Sequence, residues 1–136
     1  MRDLAIVPGA TIAVMVLNVL MSFGVVWVYS TFINPGHPAS VYEAFALETA
    51  PVSSVVAGIP LMIAAGYHIT RGRQKREALV LATLVAVLYV LVDFAILATV
   101  GVSAVMWAWA TLSYITKIVA AIGGGVLQLR HAAKRQ

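Results

Sequence analysis

The sequence predicts an all-α fold, a four-helix transmembrane bundle with both termini cytoplasmic. Three observations predict it. The 136 residues are 62% hydrophobic and only 10% charged, whereas globular chains average about 45–50% apolar and about 25% charged. Four apolar runs lie at about residues 6–33, 44–69, 78–99 and 105–129, each longer than the roughly 18 residues that mark a membrane-crossing helix. The basic residues are strongly one-sided. Of nine Lys and Arg, eight are Arg2, the group Arg71, Arg73, Lys75 and Arg76, and the group Arg130, Lys134 and Arg135. They fall before helix 1, between helices 2 and 3, and after helix 4. The loops around 34–42 and 100–104 hold none. The positive-inside rule then places both ends of the chain and the loop 71–76 in the cytoplasm.

Each element has its own signals. The segment Met1-Arg2-Asp3-Leu4 is similar to the start of a signal peptide. The apolar run behind it is too long for one and no small-residue cleavage site ends it, so a retained first helix is expected. Asn34-Pro35-Gly36-His37-Pro38 is turn chemistry and stops that helix. Ser40 and Glu43 have capping-box spacing at the start of helix 2. Gly58-Ile59-Pro60 in its middle predicts a kink, because Pro60 removes one backbone hydrogen bond. The short link around 100–104 makes helices 3 and 4 antiparallel neighbours. In helix 4, Gly123-Gly124-Gly125 and the pairs Ala120/Gly124 and Ala121/Gly125 permit close helix approach. Trp27, Tyr29, Tyr42, Trp107 and Trp109 gather toward the outer interface, as aromatic belts do.

The whole of residues 1–136 reads as one integral membrane domain, in a bacterial-type inner (plasma) membrane, so chemistry is expected inside the bundle. Helix 4 repeats small or polar residues every three or four positions: Ala110, Ser113, Tyr114, Lys117, Ala121, Gly124 and Gln128. Helix 3 offers Ala82, Ala86, Tyr89 and Asp93. Helix 1 offers Thr11, Asn18, Ser22 and Tyr29, and helix 2 offers Glu48, Ser54, Ala57, Ala64 and His68. Four such stripes facing inward would make a polar seam.

Asp93 and Lys117 are the strongest candidates, since a charge at bilayer depth costs on the order of 2.5–3.5 kcal/mol. Their levels differ by roughly 10 Å at 1.5 Å per residue. Side chains on a helix lean toward its N-terminus, so the two lean toward each other and an ion pair is expected. A static pair that fixes register and a pair that breaks during transport are both open. Asn18, Glu48, Tyr89, Ser113 and Tyr114 complete the candidate pathway. Glu48 reads either as a solvated interfacial carboxylate or as the outer mouth of a cation path.

Other chemistries lack support. There is no cysteine, no phosphate-binding glycine loop, no serine nucleophile motif and no zinc-spacing signature. His68 and His131 are near one surface, but no carboxylate cluster accompanies them, and no cofactor or metal is expected. The basic runs set topology and contact anionic lipid, and nucleic acid is not an expected partner. In size and helix count the chain resembles the small multidrug-resistance transporters. Those rely on a helix 1 glutamate, where this chain has Asn18 and no acid, so no family is assigned. Two functions are carried forward. One is a transporter- or channel-like protein using the Asp93/Lys117 pair, as a homo-oligomer. The other is a non-catalytic accessory subunit of a larger membrane complex. An intramembrane enzyme stands third.

Overall fold

The computed structural model describes residues 5–134. Arg2, Arg135 and the start 1–4 lie outside the described residues. The chain forms four helices long and apolar enough to span a membrane. They are α1 (Ile6–Val28, extended by a π-helical turn over Tyr29–Ile33), α2 (Ala39–Ile69), α3 (Lys75–Val100) and α4 (Ala104–Ala133).

The ends follow local chemistry. In the π turn the Asn34 N–H donates to the Tyr29 carbonyl at 2.9 Å, five residues back. The loop after it is tied by Tyr42, whose hydroxyl donates to the Asn34 carbonyl at 2.9 Å and accepts from the His37 N–H at 3.0 Å. α2 starts five residues before the expected position 44. Pro38, extended at φ −61° and ψ 154°, is its N-cap, and no side chain caps it. Ser40 is therefore inside the first turn, and the expected Ser40/Glu43 capping box is corrected: a proline already fixed in φ ends the loop two residues earlier. α3 ends at Gly101, whose φ of 72° suits a residue without a Cβ. Ser103 caps α4 by accepting from the Met106 N–H at 3.3 Å.

Cross-helix contacts give the arrangement. The Thr11 hydroxyl reaches the Val85 carbonyl, and Asn18 reaches Tyr89, so α1 and α3 run in the same direction. Gly58 faces Lys117, Gly66 faces Ala121, Gly124 faces Ile63, and Gly125 faces Thr70, so α2 and α4 also run together. Asn18 meets Ser54 and Ser22 meets Ser53, which sets the first pair antiparallel to the second. The loop 71–76 and the last turn of α4 consequently share one end, called here the basic end. The loops 34–38 and 101–103 lie at the far end.

The α2–α4 contact is made backbone to backbone. A Cβ on Gly66 would strike the Ala121 carbonyl, and a Cβ on Gly124 would strike the Ile63 carbonyl. The small-residue spacing of α4 is thus used within the chain. Around this seam the core is closed: Met62, Ala78, Ala82, Val85, Ala86 and Ala121 are fully buried. The outside is apolar, with Ile12, Val16, Phe23, Leu91, Ile115 and Val119 all exposed. α2 is unbroken through both Pro51 and Pro60. Its buried face is Ala57, Gly58, Met62 and Gly66, with Thr70 beyond. Ala64 and His68, expected on that face, are exposed, because the close approach to α4 selects the glycines of α2 rather than its polar residues.

Candidate functional site

The centre of the bundle is a buried lysine. Lys117 is 0% exposed although it is a full-length cationic side chain. Its Nζ donates to Ser54 Oγ at 2.9 Å and to the Tyr89 hydroxyl at 3.0 Å, and it lies 4.3 Å from the Tyr89 ring centroid. Asn18 Nδ2 donates to the same two oxygens, at 3.2 Å to Ser54 and 3.1 Å to Tyr89. One residue from each helix therefore joins a closed group: Asn18, Ser54, Tyr89 and Lys117.

Helical spacing builds this group and the layer above it. Ser54 and Gly58 are one turn apart on α2, as are Tyr89 and Asp93 on α3, and Ser113 and Lys117 on α4. Gly58 is what lets the lysine stem lie flat across α2, since a Cβ there would overlap Lys117 Cε. Asp93 and Ser113, the partners of Tyr89 and Lys117 in these pairs, face a cavity toward the far end. That cavity is about 180 Å³ and is lined by Ala50, Pro51, Ser54, Asp93, Leu97, Met106, Trp109, Ala110 and Ser113. Ser54 belongs to both layers and so links the lysine group to the cavity. Ser113 is 4% exposed and its hydroxyl has no hydrogen-bond partner among the described residues. Asn18 Oδ1 is likewise buried without a partner among the described residues. An unpaired buried polar atom costs about 1–3 kcal/mol, which makes each a place where a ligand or water would be favoured.

The expected Asp93–Lys117 contact takes a different form. Among the described residues no ion pair within 4.0 Å joins them. Asp93 is half-buried one turn farther along α3 than Tyr89, and the tyrosine hydroxyl meets the ammonium first. Glu48 is not brought to the site. It is exposed and, at 3.6 residues per turn, sits about 120° around α2 from Ser54. Three residues at the site went unassigned in the sequence reading. Ser54 appeared only as part of a stripe, Gly58 only beside a proline, and Trp109 only as an interface aromatic. The one-turn spacing of Ser54 and Gly58 is the signal that pointed inward.

At the basic end His68 and His131 do not meet each other. Tyr67 is between them, with ring centroids 5.7 Å from His68 and 5.9 Å from His131. Among the described residues no three His, Cys, Asp or Glu side chains converge on a metal-sized site. The fold and this site define a small all-helical chain with four membrane-length helices around a buried, hydroxyl-bound lysine. Comparison with family models, curated proteins and solved structures finds no match to this chain.

Proposed function

We propose that the protein spans a membrane with its basic end cytoplasmic and works as a small carrier, taking an organic cation into the cavity beside Asp93. One observation carries this reading: the cavity sets Asp93 and Ser113 among apolar and aromatic walls, on the far-end side of the tight α2–α4 backbone contacts. Ser54 joins it to the lysine group, and toward the basic end the Gly66–Ala121 and Gly124–Ile63 backbone contacts close α2 against α4. A cavity inside the bundle with tight helix packing on one side of it suits a carrier better than an open channel, because carriers hold their ligand near the midplane and expose it to one face at a time.

The lining selects the ligand class. Asp93 supplies a counter-charge and Ser113 a free hydroxyl, while Trp109, Met106 and Leu97 supply apolar and aromatic contact. An ammonium group with an apolar body fits both halves, with the indole face available to the cation. Lys117, hydrogen-bonded to the Ser54 that also lines the cavity, then acts as an internal charge that answers the ligand's. Admitting one cation keeps the buried charge constant if Lys117 releases its proton, so exchange of cation for proton follows from charge balance.

The test is binding and flux in proteoliposomes with benzylammonium as the probe. The expected result is saturable binding that Asp93→Asn abolishes, with Ser113→Ala weakening it. Lys117→Met should still bind but lose the pH dependence of flux. Folded protein that binds no organic cation, or binding unchanged in Asp93→Asn, would overturn the reading. The accessory-subunit reading rests on the half-buried Asp93, which a partner's cation could approach between α3 and α4. It requires larger chains to co-purify with this one from native membranes, and Asp93→Asn to release them.

A further inference from the structure

The basic end holds a second cavity, unconnected with the site above. It is about 180 Å³ and is lined by Tyr67, Arg71, Gln128, His131 and Ala132. We propose that it binds a phosphate group, carried either by the headgroup of an anionic lipid or by soluble phosphate.

Three features converge on that chemistry. Arg71 has no carboxylate within 4.0 Å among the described residues, whereas Arg73 two positions on is paired with Glu77 at 3.0 Å. A free guanidinium offers a planar fork that matches phosphate oxygens two at a time. Gln128 is 7% exposed, its Oε1 has no partner, and its side chain makes no hydrogen bond among the described residues. Its amide oxygen and nitrogen are interchangeable in shape, so the same side chain can present N–H donors to an anion. Tyr67 and His131 are only loosely joined, with the tyrosine hydroxyl 3.4 Å from His131 Nδ1. Both groups can turn to a better acceptor at little cost.

The location fits as well. The cavity sits where α2 and α4 end, at the level where the apolar spans give way to charge. Leu127 and Ile63 are exposed on the helices that lead away from it, and acyl chains could lie along them. Helix C-termini carry partial negative charge and repel an anion. Side chains must therefore do the holding, and Arg71 should dominate.

The experiment uses the full chain in detergent, with adducts counted by native mass spectrometry. Phosphatidylglycerol is compared with diacylglycerol of the same chains, and inorganic phosphate is added as a competitor. Wild type should retain phosphatidylglycerol and not diacylglycerol. Arg71→Gln should weaken retention about tenfold, as expected for loss of one bidentate charged contact. Gln128→Leu should weaken it less, and Arg73→Gln, an equal change in net charge, should leave it unchanged. Retention that survives millimolar phosphate identifies the lipid as the source. Displacement by phosphate identifies the soluble ion. Equal retention of diacylglycerol, or equal losses for Arg71→Gln and Arg73→Gln in variants of native helicity, would overturn the proposal.

Discussion

The lysine group predicts a specific coupling between Tyr89 and Lys117. The Tyr89 hydroxyl accepts from two donors, Lys117 Nζ at 3.0 Å and Asn18 Nδ2 at 3.1 Å. Tyr89→Phe removes that acceptor while keeping the ring, so packing and the cation–ring contact persist. Interhelical hydrogen bonds in membrane proteins average about 0.6 kcal/mol and reach about 1.7, and a charged donor belongs at the upper end. Two lost bonds then cost about 1–3 kcal/mol. In a Lys117→Met background only the Asn18 bond remains to be lost, so the same change should cost about 0.6 kcal/mol. The expected coupling is about 0.5–2 kcal/mol, the size found for residues in contact. Asp93→Asn in the same cycle should couple to Lys117 more weakly than Tyr89 does, because no direct ion pair links them. Reversible unfolding by dodecyl sulfate titration in mixed micelles, followed by tryptophan fluorescence, measures all of these. Equal cost for Tyr89→Phe in both backgrounds, within about 0.3 kcal/mol, would refute the hydrogen-bonded group. A dominant Asp93–Lys117 coupling would show that the carboxylate, not the tyrosine, holds the ammonium.

The glycines of α4 should differ sharply over one position. Gly124→Ala must push against the Ile63 carbonyl and should destabilise by about 1–3 kcal/mol; Gly123→Ala meets nothing within 4 Å and should be neutral or stabilise by up to about 1 kcal/mol in the same titration. For topology, a reporter fused after Gln136 should be active only in the cytoplasm, and Gln74→Cys should resist a thiol reagent added from outside; external labelling would invert the orientation.

Much of the architecture was legible because it follows from one-dimensional patterns. Four long apolar runs gave four helices, and turn residues at 34–38 placed the break after α1. The ends were less legible. α2 starts at Ala39 rather than 44, α3 at Lys75 rather than 78, and α4 continues to Ala133 rather than 129, since polar helical turns carry no apolar signal. Site residues were legible where their chemistry is out of place: Lys117, Asp93, Asn18 and Ser113 are polar within apolar runs. Glu48 met the same criterion but lies on another face of α2.

What the sequence left open is how the helices are turned against one another, and that decides which polar residues touch. A polar stripe is equally consistent with a lysine reaching Asp93 and with a lysine reaching Ser54 and Tyr89. The choice is made by three glycines with almost no chemistry of their own. Gly58 leaves the space across which the Lys117 stem lies, and Gly66 and Gly124 draw α2 against α4 until Ser54 is within hydrogen-bond distance of the ammonium. With Lys117 held there, Asp93 is left with no ion pair among the described residues, beside the cavity it lines. The seam thus separates its two charges: one is buried and bound by hydroxyls, the other half-buried beside the cavity. A larger residue at 58 should displace the lysine from that position, and the nearest anionic group to receive it is Asp93. The glycine therefore keeps the carboxylate available, and the proposed cation site depends on a residue that carries no polar side chain.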